Sequence, residues 1–406
     1  MTASRGSRRR ILIIVENLPV PFDRRTWQEA TTLARAGYGV AVICPKRPGF
    51  ERFHERLDGV DIYRHPLPVE ADSLAGYVLE YGMALSMQLL LALLVLFRHG
   101  FDVIHACNPP DDIFLLGRLF GLIGKRFVFD HHDLNPELYE SKFGSRGRLY
   151  HVLTWLEAKS FRAADLVIST NDSYRAVAIE RGAVPASRVV VVRSGPSLER
   201  LRVVAPAERW KNGRRFLVGY VGVMGKQEGI PYLLQAVDHV VNDCGRSDIQ
   251  FCLVGGGTEL EAMRRLAAEM GLDAHVTFTG RAADQVLLEV LSTADVCVNP
   301  DPYNAMNDKS TMNKIMEYMA LGKPIVQFDL TEGRVSAREA SLYAARNDAR
   351  DLGEKVLALI DDPAARERMG RIGQDRVRNE LEWRFEAAKL VAAYESLLGP
   401  PGGAAA

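Results

Sequence analysis

No charge of either sign dominates this sequence: across 406 residues, lysine plus arginine total 51 and aspartate plus glutamate also total 51. A dedicated nucleic-acid binder carries a basic surplus that attracts phosphate, so the balance argues against that class of partner. Cysteine is scarce. Cys44, Cys107, Cys244, Cys252 and Cys297 are scattered, odd in number and free of any Cys-x-x-Cys pair, which excludes a disulfide framework and the usual zinc spacing and leaves reduced, mostly buried thiols. Long apolar runs are missing too. Arg5 and Arg8 to Arg10 precede an apolar stretch, Ile11 to Val15, that stops at Glu16, too short for a signal-peptide core. The longest, Leu89 to Phe97, is about half of what a membrane-spanning helix needs. A cytoplasmic protein without a bilayer-spanning segment is the expectation. No short internal repeat occurs, which excludes solenoids and propellers.

What is present is the composition of a globular protein, 47% hydrophobic and 25% charged, at a length that suggests two domains. Short β-branched runs alternate with stretches of helical period, the pattern of a parallel sheet with crossover helices. In the first half the strands are Ile11 to Val15, Val40 to Cys44, Val60 to Tyr63, Val103 to Ala106, Phe127 to Asp130, Leu166 to Ser169 and Val189 to Val192. In the second they are Leu217 to Val221, Ile249 to Val254, Val276 to Phe278, Val296 to Asn299 and Ile325 to Phe328. Between the halves, Ser194 to Asn212 is rich in turn formers and reads as a linker. The fold class is therefore α/β, with two Rossmann-like, doubly wound domains facing across a cleft. Residues 1–200 form the first domain, 201–380 the second, and 381–406 a terminal helix that crosses back to the first domain, followed by an unstructured tail from Gly402.

Chemistry concentrates at strand ends, where open α/β sheets bind ligands. In the second half, a helix predicted from about Thr311 to Leu321 begins at Ser310 or Thr311, and its free N–H groups form a ready phosphate site. Glu317, seven residues beyond Ser310, projects on the same face and can reach a ribose. The bland alternative is a capping serine with Glu317 paired to Lys314. Glycine turns follow two strands, Gly222-Val-Met-Gly-Lys-Gln-Glu-Gly and Gly255-Gly-Gly, where a ligand could approach the backbone or where strand and helix are simply joined. Together Gly222, Lys226, Gly255, Gly256, Arg281, Ser310 and Glu317 would line one crevice.

In the first half, Phe127 to Asp130 runs into His131-His-Asp-Leu-Asn-Pro-Glu. A histidine there can accept or orient a hydroxyl proton while a neighbouring carboxylate holds its tautomer, which singles out His132 and Asp133. Both histidines of the pair should not point inward. A metal is disfavoured because no ligand spacing accompanies them. Asp23 to Arg25 either touch substrate or cap the helix that begins near Thr26. Leu74 to Phe97 is strongly apolar and reads as core, with an acceptor groove or a membrane-facing surface as the alternative.

The segment Asn313-Lys-Ile-Met-Glu-Tyr-Met-Ala-Leu-Gly-Lys-Pro-Ile-Val resembles the signature of the family-4 retaining glycosyltransferases, which have the GT-B fold. Phe22-Asp-Arg-Arg-Thr-Trp-Gln-Glu-Ala, Gly37-Tyr, Val42-Ile-Cys-Pro, Val254-Gly-Gly-Gly and Ala294-Asp-Val fall in the order that bacterial cell-envelope members show. The resemblance implies a nucleotide-diphosphate sugar as co-substrate in the second domain, an acceptor in the first, no required metal or other cofactor, and retention of anomeric configuration. It implies that Glu317 binds ribose, that the backbone at Met312 and Asn313 holds the diphosphate, and that His132 faces the reacting centre. The chain departs from the family in two places. Lys309, beside Asp308, stands where the first of two paired glutamates belongs; in the Gly222 loop, Val223 or Met224 replaces an arginine and Glu228 a lysine. Lys226 and Lys309 are then the candidates to supply the missing positive charge.

The expected activity is transfer of a hexose-type sugar to a glycan or lipid-linked acceptor in envelope or exopolysaccharide synthesis, with peripheral contact at the inner face of the plasma membrane. The rivals are a nucleotide-sugar epimerase, against which the signature speaks, and a catalytically silent nucleotide-sugar binder.

Overall fold

The computed structural model describes residues 8–66 and 74–402, so all but the first residue of the Gly402 tail lies outside the described residues. The chain divides into two units, one of Met1–Ser194 with Arg384–Ala406, the other of Gly195–Trp383.

The first unit contains strands β1 (Arg10–Ile14), β2 (Gly39–Pro45), β3 (His54–Leu57), β4 (Val60–His65), β5 (Val103–Cys107), β6 (Arg126–His131), β7 (Leu166–Ser169) and β8 (Val189–Val191). They form one sheet in the order β3-β4-β2-β1-β5-β6-β7-β8. Its helices are α1 (Arg24–Arg35), α2 (Leu74–Arg98), α3 (Phe114–Gly121), α4 (Asn135–Phe143), α5 (Arg148–Ala163) and α6 (Asp172–Glu180). The chain starts mid-sheet, moves outward through β2 and β4, then returns through α2 to β5 and proceeds the other way. Right-handed crossovers in opposite directions put helices on opposite faces. On one face Leu12, Ile14, Ile104, Ala106, Phe127 and Phe129 pack in a single core with Leu91 and Val95 of α2, Phe120 of α3 and Phe161 of α5. Each of these side chains other than Ala106, fully buried, contributes about 1.5–3 kcal/mol.

The second unit contains β9 (Phe216–Val221), β10 (Ile249–Val254), β11 (Val276–Gly280), β12 (Val296–Asn299), β13 (Ile325–Phe328) and β14 (Ser341–Ala344). Their order is β11-β10-β9-β12-β13-β14, parallel throughout. Helices α7 (Ile230–Asp238), α8 (Leu260–Glu269), α9 (Asp284–Thr293), α10 (Asn313–Ala320), α11 (Thr331–Ala337), α12 (Ala349–Asp361) and α13 (Pro363–Arg376) cover the sheet, and two apolar clusters form its cores. The last helix, α14 (Trp383–Leu398), packs in the first unit, where the Tyr394 hydroxyl lies 2.6 Å from His105 Nδ1 and Glu386 accepts from the Arg193 N–H at 2.9 Å.

Two strands escape the β-branched pattern, β3 and β14, both at sheet edges. β3 reads His-Glu-Arg-Leu and pairs antiparallel with β4, so the first sheet is mixed at that edge rather than wholly parallel. A one-sided, exposed strand needs no run of buried apolar residues. Helix α2 also exceeds expectation: its segment Glu80–Arg98 has the length and hydropathy of a membrane-crossing helix, because Ser86 and Gln88 interrupt the apolar run without ending the helix.

Candidate functional site

Each sheet reverses its strand order at one point, between β1 and β5 in the first unit and between β9 and β12 in the second. The carboxyl ends of those strands leave room for a ligand, and each unit gathers its buried charges there.

In the first unit the focus is Asp130, the penultimate residue of β6. It is buried and receives a bidentate pair from Arg25 of α1, Nε to Oδ2 at 3.0 Å and Nη2 to Oδ1 at 2.7 Å. His132 Nδ1 lies 2.9 Å from Asp130 Oδ2, while the backbone N–H groups of His132 and Asp133 both donate to Asn108 Oδ1. The His132 ring is thus fixed at one nitrogen and 16% exposed. Burial opposes its positive charge, but the attraction of Asp130 outweighs burial and raises the imidazole pKa. Asp130 stays far below the usual carboxylate range, because Arg25 and His132 overcome the cost of its burial. Such an imidazolium can hand a proton, or a hydrogen bond, to an oxygen in front of it.

Asp23 caps α1, accepting from the Thr26 N–H at 3.0 Å, and Arg25 is spent beneath His132 rather than offered to a substrate. His131 points the other way from His132: it is buried against Phe161 and Tyr174, with Nε2 3.2 Å from Glu157. The carboxylate that holds His132 is Asp130, two residues before it, and not Asp133. Behind the pair, Glu29, His105, Cys107 and Asp130 bring potential metal-ligating atoms within 4.8 Å of one another, a grouping that no local spacing discloses. Arg25 already pairs with both carboxylates of this group, at 3.0 Å to Glu29 and 2.7 Å to Asp130, so its chemistry is that of an ion network.

In the second unit, the glycine turns after β9 and β10 pack onto each other. The Gly222 N–H donates to Val254 O, and Met224 N–H to Gly256 O. A Cβ at Gly255, whose φ is +145°, would sit 1.8 Å from Gly222 O, and one at Gly257 2.4 Å from Met224 O. These glycines are therefore required by backbone approaching backbone. At Gly256 the neighbour is Arg281, 3.3 Å from where a Cβ would stand. Lys226 and Arg281 are exposed beside these turns.

Helix α10 starts two residues later than the sequence pattern suggests. Ser310 is extended, with φ −89° and ψ 132°, and its hydroxyl donates to Met306 O; Lys309 closes a single 3-10 turn, Thr311 follows in the loop, Met312 is the N-cap and Asn313 the first helical residue. Ser310 and Glu317 consequently do not share a helix face. Glu317 remains in α10 and accepts from Arg200, not from Lys314. Lys314 instead reaches Glu228 at 2.8 Å and Asp301 at 3.1 Å, with its Nζ 5.0 Å from the Tyr220 ring centre. Burial disfavours this ammonium, yet the two carboxylates outweigh it and hold it charged. The Tyr318 hydroxyl accepts from the Val221 N–H at 2.9 Å and donates to Val298 O, tying α10 to the ends of β9 and β12. Lys314, Asp301 and Arg200 carry no local signal; Glu228 alone was conspicuous, as an acid in a family's basic position.

Residues 215–362 match the family model described as glycosyl transferases group 1, and residues 23–195 match that of the glycosyl transferase 4-like domain. The chain is 28% identical over 294 residues to 2-deoxystreptamine glucosyltransferase of Streptomyces kanamyceticus, spanning 68% of this chain and 72% of that protein. It is 27% identical over 297 residues to alpha-maltose-1-phosphate synthase of Mycobacterium tuberculosis, spanning 66% and 73%. Among solved structures, sucrose-phosphate synthase from Thermosynechococcus elongatus superposes with a TM-score of 0.77 at 21% identity, covering 96% of this chain and 99% of that one. An Anabaena protein in complex with UDP-glucose superposes at 0.69 and 15% identity, covering 95% and 99%.

Proposed function

Because this chain belongs to the family-4 glycosyltransferases of GT-B fold, we propose that it moves a hexose-type sugar from a nucleotide-diphosphate sugar to a glycan or lipid-linked acceptor, retaining the anomeric configuration and requiring no metal. The observation that carries the donor part is the start of α10 at the point where the second sheet reverses. The N–H groups of Asn313 and Lys314 lack intrahelical partners and favour a diphosphate there, and Glu317, about one turn further on, can accept ribose hydroxyls. Gly222, Gly255 and Gly256 shape the wall, with Lys226, Arg281, Lys309, Ser310, Thr311 and Met312 around the phosphates. As the phosphate leaves, its growing charge is offset by the helix start and the lysines.

The first unit takes the acceptor in this scheme. His132, charged and oriented by Asp130, directs its free nitrogen toward a sugar or acceptor hydroxyl, with Asp133 next to it. Envelope or exopolysaccharide synthesis at the inner face of the plasma membrane is the setting we propose. One observation favours a silent binder instead: Lys314 is occupied by Glu228 and Asp301 and offers no free ammonium to a phosphate.

A thermal-shift and sugar-release screen against UDP-, GDP- and dTDP-sugars tests both. UDP-glucose comes first, since the Anabaena structure contains it and the Streptomyces relative is a glucosyltransferase. Stabilisation by one donor, abolished in Glu317→Ala, with slow sugar release that His132→Ala reduces, is the expected result. Stabilisation without turnover across a broad acceptor panel would establish the silent binder; no stabilisation by any donor would sink both readings.

A further inference from the structure

Helices α2, α3 and α5 lie side by side on one face of the first sheet, since each follows a strand and crosses toward the next in the same direction. Their inner residues share one core, and their outer surface is unusually apolar. Among the described residues, eleven of the nineteen exposed large apolar side chains lie between positions 83 and 155. On α2, Met87, Leu90 and Phe97 fall on one stripe at helical spacing, with Phe97 83% exposed; Leu119 of α3 and Leu122 at its C-cap add to it, Leu122 being 84% exposed; on α5 stands Trp155. Soluble monomers rarely leave so many large apolar groups on one layer.

The charge on this layer is as one-sided as its polarity. Between residues 83 and 162 no aspartate or glutamate is exposed, whereas Arg98, Arg118, Arg126, Arg148 and Arg162 all are. The chain as a whole is neutral, so the surplus here comes from placement: the acids of this stretch are buried or half-buried, whereas these arginines are exposed. A second copy is a poor occupant, because a two-fold interface would set each cationic face against itself. An anionic bilayer is complementary to both features, apolar ridges entering the acyl boundary and arginines meeting phosphates.

From this we infer that the outer surface of α2, α3 and α5 docks the protein onto an anionic phospholipid bilayer, with the helices lying in the interface. It rests on the reading above only in placing the acceptor at a membrane. Helix α2 does not span: Leu91, Ala92 and Val95 are seated in the sheet core, and crossing a bilayer would strip them from it.

Flotation of the full-length protein with vesicles tests this, using phosphatidylcholine alone and phosphatidylcholine mixed with phosphatidylglycerol. Binding to the mixed vesicles only, weakened by salt, is expected. Phe97→Ser/Leu122→Ser and, separately, Arg98→Glu/Arg118→Glu should each lower binding by about tenfold or more, at unchanged melting temperature. Absence of binding to either vesicle, equal binding to both, or self-association that Phe97→Ser/Leu122→Ser abolishes would overturn the proposal. Thermal stabilisation by UDP-sugars is measured on the same variants and should not change, so a missing donor response counts against the transferase reading and not against this surface.

Discussion

The two units bury opposite charges at equivalent places. In the first, a carboxylate is clasped by cations, Asp130 between Arg25 and His132; in the second, a cation is clasped by carboxylates, Lys314 between Glu228 and Asp301. The first network also contains Glu29 and His105, and the contact of His132 with Asp130 favours the charged ring. In the second network burial raises the Asp301 carboxyl to about 7 despite the ammonium beside it. Held by both carboxylates, Lys314 is a brace for α10 rather than a free attractor of phosphate, and in the proposed scheme attraction for a diphosphate comes from the helix start and from Lys226, Arg281 and Lys309.

The comparison breaks first at Asp130. Asp130→Asn removes the charge that holds His132 protonated and leaves Arg25 buried with half its pairing lost. Sugar transfer should fall by about 10²- to 10³-fold, the worth of a displaced acid or base, and unfolding free energy by about 3–5 kcal/mol. Turnover and urea unfolding read the two losses separately; a variant as active as the wild type would remove the Asp130–His132 pair from the reaction.

Lys314→Met makes the opposite lesion, a buried Asp301 and a half-buried Glu228 without their cation, and should also cost about 3–5 kcal/mol. Because the fault is then excess negative charge, adding Glu228→Gln and Asp301→Asn should recover most of the loss in urea unfolding. Failure of that rescue would mean that Lys314 acts through packing on Tyr220 rather than through its charge. A smaller effect belongs to the rim. If Lys226 and Lys309 supply the attraction that Lys314 does not, Lys226→Ala/Lys309→Ala should weaken donor binding by about tenfold, or about 1.4 kcal/mol, in calorimetric titration. Unchanged affinity would exclude them.

How much of this was legible in the sequence follows from the same contrast between local and distant. Ile249–Val254, Val296–Asn299 and Ile325–Phe328 are strands with the limits their residues suggest, because strands buried on both faces are continuous apolar runs. The edge strands β3 and β14 lack that pressure. Gly255 and Gly257 announce themselves as glycines, yet their reason is the packing of one turn on another, which joins the ends of two different strands. His132 is visible as a titratable residue at a strand end, whereas its supporting Arg25 comes from 105 residues before Asp130. Lys314 hides its role similarly, since Glu228 is 86 residues away and nothing local orients the ammonium. Even Ser310 misleads for a physical reason: its hydroxyl is used by Met306 O, so it ends one turn instead of beginning the next.

A further prediction separates the units by pH. Glu16, just past β1, is buried and accepts from Gln88 Nε2 at 2.9 Å; burial, with Asp112 nearby, pushes its carboxyl up to about 8 from an ordinary 4.5. The folded state thus keeps a proton that the unfolded chain releases. Its stabilising contribution is complete below about pH 4.5 and is lost as pH rises through about 8. Glu16→Gln preserves an acceptor for Gln88 and removes the titration. Between about pH 5 and pH 8.5 the wild-type melting temperature should therefore drop by several degrees more than that of the variant. In calorimetry the difference should appear only in the transition of the first unit. Parallel pH slopes for the two proteins would show that Glu16 is ionised in the folded state, and that the first unit tolerates a buried carboxylate without a cation.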